Sequence, residues 1–170
     1  IFSGEVGGPL RATRRGILAH AEILSQLERN PAAVELIDKT MGATPDPAFT
    51  RLRDELAAGK PVAFDVVGNA TEGLAEVYFT VASALKGERA DVNTLAYARM
   101  AEYLDPDEAD VLLLTAQILE EQGQHDLATE SYAKIPRDDP DYVAAELGRS
   151  DALIAAGRTE AAIEVLEQLA

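Results

Sequence analysis

The 170-residue chain is 47% hydrophobic with 5% aromatics, no Trp and no Cys, and carries a formal charge of -15. Without cysteine there is no disulfide framework, thiolate metal site or cysteine nucleophile, and an interior of Ala, Leu, Ile and Val suits closely packed helices better than a sheet. The acid excess lies in residues 61–170, with 22 acidic against 7 basic groups, whereas residues 1–60 balance at eight each; such a surface disfavours nucleic acid and matches a cationic partner.

Residues 1–13 read as a linker or the end of a preceding element, with Gly7-Gly8 as a hinge rather than a dinucleotide fingerprint. The first residues, Ile1-Phe2-Ser3, show neither an initiator Met nor a signal peptide, which suggests a piece of a longer protein. No apolar run approaches the roughly 18 residues of a membrane span. The reading leaves cytoplasm and periplasm both open.

From Arg14 the apolar positions Ile17, Ala21, Leu24, Ala33 and Ile37 predict a helix pair over 14–47, closed by Pro45, with Asn30 capping the second helix and Pro31 in its first turn. Residues 48–74 follow as an extra helix plus an irregular loop. The helix, near 47–58, starts at an Asp46 cap; Pro61, Val66, Val67 and Gly68-Asn69 then predict an extended or looped stretch from Gly59 to Thr71.

Three units come next, at 75–108, 109–142 and a truncated 143–170. Gly123 and Gly157, Ala128 and Ala162, Leu119 and Leu153, and Pro106 and Pro140 each lie 34 residues apart. That is the period of a stacked helix-turn-helix repeat. Each glycine is placed to end a first helix in left-handed geometry. Ala116, Ala128, Ser150 and Ala162 fall where two helices must approach closely, and Leu127, Ala128, Tyr132, Ala133 and Ile135 form the second helix's apolar stripe. Arg89 takes the turn-glycine position in the first of the three units.

The small, large and helix-stopping residues Ala116, Leu119, Gly123, Ala128, Tyr132 and Pro140 resemble the tetratricopeptide repeat family, with Leu112 where a large aromatic is usual. The resemblance extends to Ser150, Leu153, Gly157 and Ala162, and to Tyr78, Ala82, Ala98 and Pro106, about two thirds of the chain in all. It looks most like part of a long, many-repeat protein of Gram-negative bacteria. It implies an all-α fold, a right-handed superhelix of antiparallel helix pairs, acting as a non-enzymatic protein-interaction scaffold without a cofactor.

That resemblance places the binding surface on a concave face lined by the first helix of each repeat. Leu18, Phe79, Leu113 and Leu147 project to one equivalent position, with Glu22, Ser83, Gln117 and Asp151 one turn on. Glu76, Asp110, Glu120 and Glu121 extend the acidic side. The expected partner is a protein or peptide segment with basic and apolar side chains; the alternative is that the apolar residues pack against the next repeat and the acids form a solvated face. Some members of the family clamp a terminal carboxylate with Lys, Asn and Arg on this face; those basic residues are absent here, which argues against carboxylate capture. A second functional reading is self-association, as a homodimer through the uncovered Ala161, Leu166 and Leu169 of the last unit.

Other candidate chemistry reads as structure. The acidic runs Asp105–Asp110 and Asp138–Asp141 lack the calcium-loop pattern and are expected to cap helices. His20, in the first helix, and His125, in a turn, have no catalytic spacing, and Ala58-Gly59-Lys60-Pro61 lacks the rest of a phosphate loop.

Overall fold

A computed structural model describes residues 14–40, 46–88 and 92–169; Gly7-Gly8, Pro45 and Arg89 lie outside the described residues. The described residues hold nine helices and no strand, as the composition requires. They are α1 (Arg14–Gln26), α2 (Asn30–Thr40), α3 (Pro47–Ala57), α4 (Ala70–Glu88), α5 (Val92–Leu104), α6 (Ala109–Glu121), α7 (His125–Tyr132), α8 (Tyr142–Ala155) and α9 (Thr159–Glu167). The chain divides into two compact units, Ile1–Gly68 and Asn69–Ala170.

In the first unit, α1 and α2 pair and α3 packs on α2. Ile17, Ala21 and Leu24 of α1, Ala33 and Ile37 of α2, and Phe49, Leu52 and Leu56 of α3 form its core. Asp46 does two jobs. Its Oδ1 accepts from the Ala48 and Phe49 amides, capping α3, while its carboxylate pairs with Arg14 Nε at 2.6 Å and ties α3 to α1. Burial alone would raise the Asp46 carboxyl, but the Arg14 and amide hydrogen bonds outweigh it and hold it below the usual carboxylate range. Asn30 is the first residue of α2 and does something other than the expected cap: its amide donates to the Leu56 and Lys60 carbonyls, fastening the start of α2 to the end of α3.

In the second unit, six helices stack as successive neighbours in chain order, α4 on α5, α5 on α6, and so to α9. Ala82, Ala98, Ala116, Ala128 and Ala145 are fully buried, and Ser150 and Ala162 nearly so. Small side chains at these positions let the backbones close up, and the buried residues from Ala82 to Val165 form three clusters, the first two joined by Leu95.

The hairpins share one turn. The Gly123 amide donates to Glu120 O at 2.8 Å and the Gln124 amide to Leu119 O at 2.8 Å; Gly157 and Arg158 repeat this with Ile154 and Leu153. Both glycines are left-handed, with φ of +71° and +77°, as the spacing predicts. In the first unit Glu28 takes the same conformation at φ +57°, its amide on Ser25 O and the Arg29 amide on Leu24 O.

Several boundaries differ from expectation. The loop expected to reach Thr71 ends at Asn69, whose Oδ1 accepts from the Thr71 and Glu72 amides while its Nδ2 donates to Glu72 Oε1 at 2.6 Å. This reciprocal arrangement starts α4 at Ala70. α7 stops at Tyr132, leaving Ala133 exposed and Ile135 buried in the turn beyond. His125 opens α7 instead of lying in a turn. Glu108 caps α6 through Asp110 N, as expected of the first acidic run; in the second, Asp141 makes no capping bond and Asp139 accepts from Asp141 N within the turn.

Candidate partner-binding face

The left-handed turn residues set a common register for the helix that precedes each of them. Six residues before Gly123 and Gly157 stand Gln117 and Asp151, and ten before stand Leu113 and Leu147. On α4 the 34-residue period puts Ser83 and Phe79 at the same places. In the second unit α4 neighbours α6, and α6 neighbours α8. The three first helices therefore offer equivalent side chains side by side.

The apolar members of the set are not alike. Phe79 is half-buried against Ala82, Ala98, Leu114 and Ile118, and Leu113 is half-buried against the cluster that holds Leu112, Ala116 and Tyr132. Leu147 is 48% exposed. Phe79 and Leu113 thus serve the core, and Leu147 leaves a wide apolar surface open.

The polar members fall into two linked groups. Lys86 Nζ of α4 donates to Gln117 Oε1 at 2.9 Å and pairs with Glu121 Oε1 at 3.3 Å, bridging α4 to α6. Glu120 Oε2 accepts from the Tyr132 hydroxyl at 2.6 Å. Burial first, then the Glu120 hydrogen bond and the charges of Glu120 and Asp151, push the Tyr132 phenol well above its ordinary range, so it stays a neutral donor. Tyr132 reaches this position over Gly148, where a Cβ would lie 2.6 Å from the ring's Cζ. Glu76, Ser83 and Asp110 are half-buried, and Gln117, Glu121 and Asp151 are exposed.

Lys86 is the basic residue that sequence reading missed on this face. It occupies the register place of Glu120, three residues after Ser83, so the spacing that located the acids could have located it. Tyr132 and Gly148 were missed for a different reason: a second-helix residue enters the face only because the facing helix lacks a side chain there. Among the described residues no group of three or more His, Cys, Asp or Glu could hold a metal ion, and no helix is long and apolar enough to cross a membrane.

The equivalent face of the first unit is arranged otherwise. Leu18 is half-buried against the core, and Glu22, expected in a solvated acidic stripe with Ser83, Gln117 and Asp151, is 5% exposed. Its Oε2 accepts from the Asp65 amide at 3.2 Å. Burial, followed by the hydrogen bond and charge of the Asp65 carboxyl, pushes the Glu22 carboxyl up to about 7.

The profile of the tetratricopeptide repeat family matches residues 121–170, from the last residue of α6 through α7, α8 and α9. Repeats of this family generally mediate protein–protein interaction. No curated protein matches the sequence.

Proposed function

We propose that this chain, whose C-terminal part carries tetratricopeptide repeat sequence, is a non-enzymatic protein-interaction module that binds a partner segment on the α4–α6–α8 face. The observation that carries this reading is the alignment of equivalent side chains on three neighbouring first helices, with Leu147 open beside the acids Glu120, Glu121 and Asp151. An exposed apolar anchor flanked by carboxylates suits a segment that pairs an apolar side chain with Lys or Arg. Lys86 spends its charge on Gln117 and Glu121, which leaves the face net acidic.

Phe79 and Leu113 are poor test positions because both support the core. Leu147→Ser, Glu121→Lys and Asp151→Lys change exposed side chains, although Glu121→Lys also breaks the pair with Lys86 and Asp151→Lys alters the charge near Tyr132. With an array of Leu- and Arg-bearing peptides as probe, each change is expected to weaken binding about tenfold, a loss of roughly 1.4 kcal/mol. Binding unaffected by all three, in protein that melts normally, would remove this face as the site. A second reading, self-association, is favoured by Ile154, Ile163 and Leu166 of α8 and α9, which are 51%, 50% and 39% exposed. Light scattering across a concentration series tests it, and Ile163→Lys is expected to return any dimer to monomer.

A further inference from the structure

The first unit fills its own equivalent face. After α3 the chain turns at Gly59 and runs without regular secondary structure from Pro61 to Val67, bending at Val66, along α1 in the opposite direction. Ser25 Oγ accepts from Val62 N at 2.9 Å, Gln26 Nε2 donates to Val62 O, Glu22 accepts from Asp65 N at 3.2 Å, and Arg15 Nη2 donates to Val66 O at 3.1 Å. Every one of these bonds joins a side chain of α1 to main chain of the strap.

The four reading residues stand in register with Asp110, Gln117, Glu120 and Glu121 of α6, since Glu28 and Gly123 mark the same turn. Arg15, Glu22 and Ser25 are each at least nine-tenths buried, so the strap lies over two ionisable side chains and a hydroxyl. In return the strap gives little of itself. Ala63, Phe64 and Asp65 are exposed, and Val62 is the strap residue packed on the core, itself only partly buried. Apart from the Asp65 carboxyl, which hydrogen-bonds Glu22, the segment is held through its main chain with one shallow apolar anchor, and such a segment can be exchanged for another that presents the same groups.

We propose that this face of α1 is a docking site for an extended peptide segment, closed in cis by Pro61–Val67, and that a partner gains it when the strap leaves. The ligand must offer an N–H and a carbonyl at one residue, an N–H three residues on, and a carbonyl four residues on; an apolar side chain belongs at the first, and proline is excluded from the two donor positions. The inference rests on the first unit and stands or falls apart from the α4–α6–α8 reading.

The test uses the full chain carrying Val62→Pro and Asp65→Pro, which deletes the Val62 and Asp65 amide donors together with the Asp65 carboxyl, and a labelled peptide of the sequence Lys60–Gly68. Fluorescence anisotropy is expected to show the peptide binding the double variant at least about tenfold more tightly than the wild-type chain. The same peptide with both prolines should bind neither, and adding Ser25→Ala to the double variant should reduce binding again. No binding by a double variant with unchanged far-UV circular dichroism, or equal binding of the proline peptide, would overturn the proposal. Should the double variant lose helix, hydrogen exchange on the wild-type chain decides: the Val62 and Asp65 amides must exchange at least about tenfold faster than those in the middle of α1. Exchange at the rate of the α1 core would make the strap an inseparable part of the fold.

Discussion

Glu28 holds φ +57° in a turn whose counterparts at Gly123 and Gly157 use glycine. An L side chain in that region costs on the order of 1 kcal/mol, because its Cβ crowds the following carbonyl. The turn survives because the Glu28 and Arg29 amides still find Ser25 O and Leu24 O. Glu28→Gly removes the strain and is expected to stabilise the first unit by roughly 1 kcal/mol, somewhat offset by the freer unfolded chain. Denaturant titration followed by circular dichroism checks it; a loss of stability would mean the Glu28 side chain contributes more than the backbone conformation costs. The two glycines are legible in the sequence because only they take this geometry without strain. Glu28 is not, because nothing in a glutamate signals a left-handed residue. Only its place in the register, one full hairpin turn after Ala21 and Leu24, could have shown it.

At the scale of helices and segments, side-chain periodicity located most of the buried stripes, since burial repeats with the turn of the helix, but Leu127 of the expected α7 stripe and Leu166 of α9 are 40% and 39% exposed while Val165 is buried. What it could not supply is how polar side chains trim or join those helices. Asn69 and Glu72 form a start signal that was readable three residues apart, yet the β-branched and glycine residues before it favoured a loop. The strap is harder still: Pro61, Val66 and Val67 predict an extended or looped stretch, but its seat on Arg15, Glu22, Ser25 and Gln26 depends on long-range hydrogen bonds that no local pattern encodes. Gly148 is similar. It sits inside α8, where glycine is unfavourable, and the reason is the Tyr132 ring across from it. Gly148→Ala gains helix propensity but drives a methyl into a ring that is 3% exposed and pinned by its bond to Glu120, for a net cost of about 1 to 2 kcal/mol. All five tyrosines lie beyond residue 69, so tyrosine fluorescence reads the second unit directly, and its melting midpoint should fall. An unchanged midpoint would show that the ring can move aside.

Glu22 gives the strap a pH dependence whose sign follows from its carboxyl being raised, from an ordinary 4.5 to about 7. The folded chain holds the proton more tightly than the unfolded chain, so the associated stability is fully present below about pH 4.5. It declines as pH rises and is gone once pH has passed through about 7. The difference between pH 4.5 and pH 8 should be on the order of 2 kcal/mol, reduced where solvent reaches the carboxyl. Glu22→Gln keeps an acceptor for Asp65 N without the titration. The variant is expected to show a flatter stability profile across this window and to exceed the wild type at pH 8. A wild-type profile that rises with pH, or one that Glu22→Gln leaves unaltered, would place the proton elsewhere.

Across the whole molecule the charge is uneven: residues 69–170 carry 21 acidic against 7 basic groups, while residues 1–68 carry 9 against 8. Self-repulsion among so many carboxylates opposes compaction of the second unit. Salt weakens this repulsion as the screening length shrinks from about 30 Å at 0.01 M to about 8 Å at 0.15 M. Salt also weakens the attractive pairs, but those described here are few: Lys86–Glu121, Arg158–Asp126, Arg149 with the buried Glu146, and the buried Glu102 with Arg99 and Lys134. The two buried carboxylates are the least affected. Burial would raise the Glu102 carboxyl, yet Lys134 at 2.5 Å and Arg99 at 2.6 Å hold it below its usual range. Repulsion therefore governs, and the tyrosine-monitored midpoint is expected to rise by about 2 to 5 °C between 10 and 150 mM NaCl. The same salt should slow capture of a Leu- and Arg-bearing peptide, because the field that burdens the fold is the one that draws in a cation. A midpoint that falls with salt would mean the local pairs outweigh the net charge. The peptide's on-rate would then be expected to lose most of its salt dependence as well.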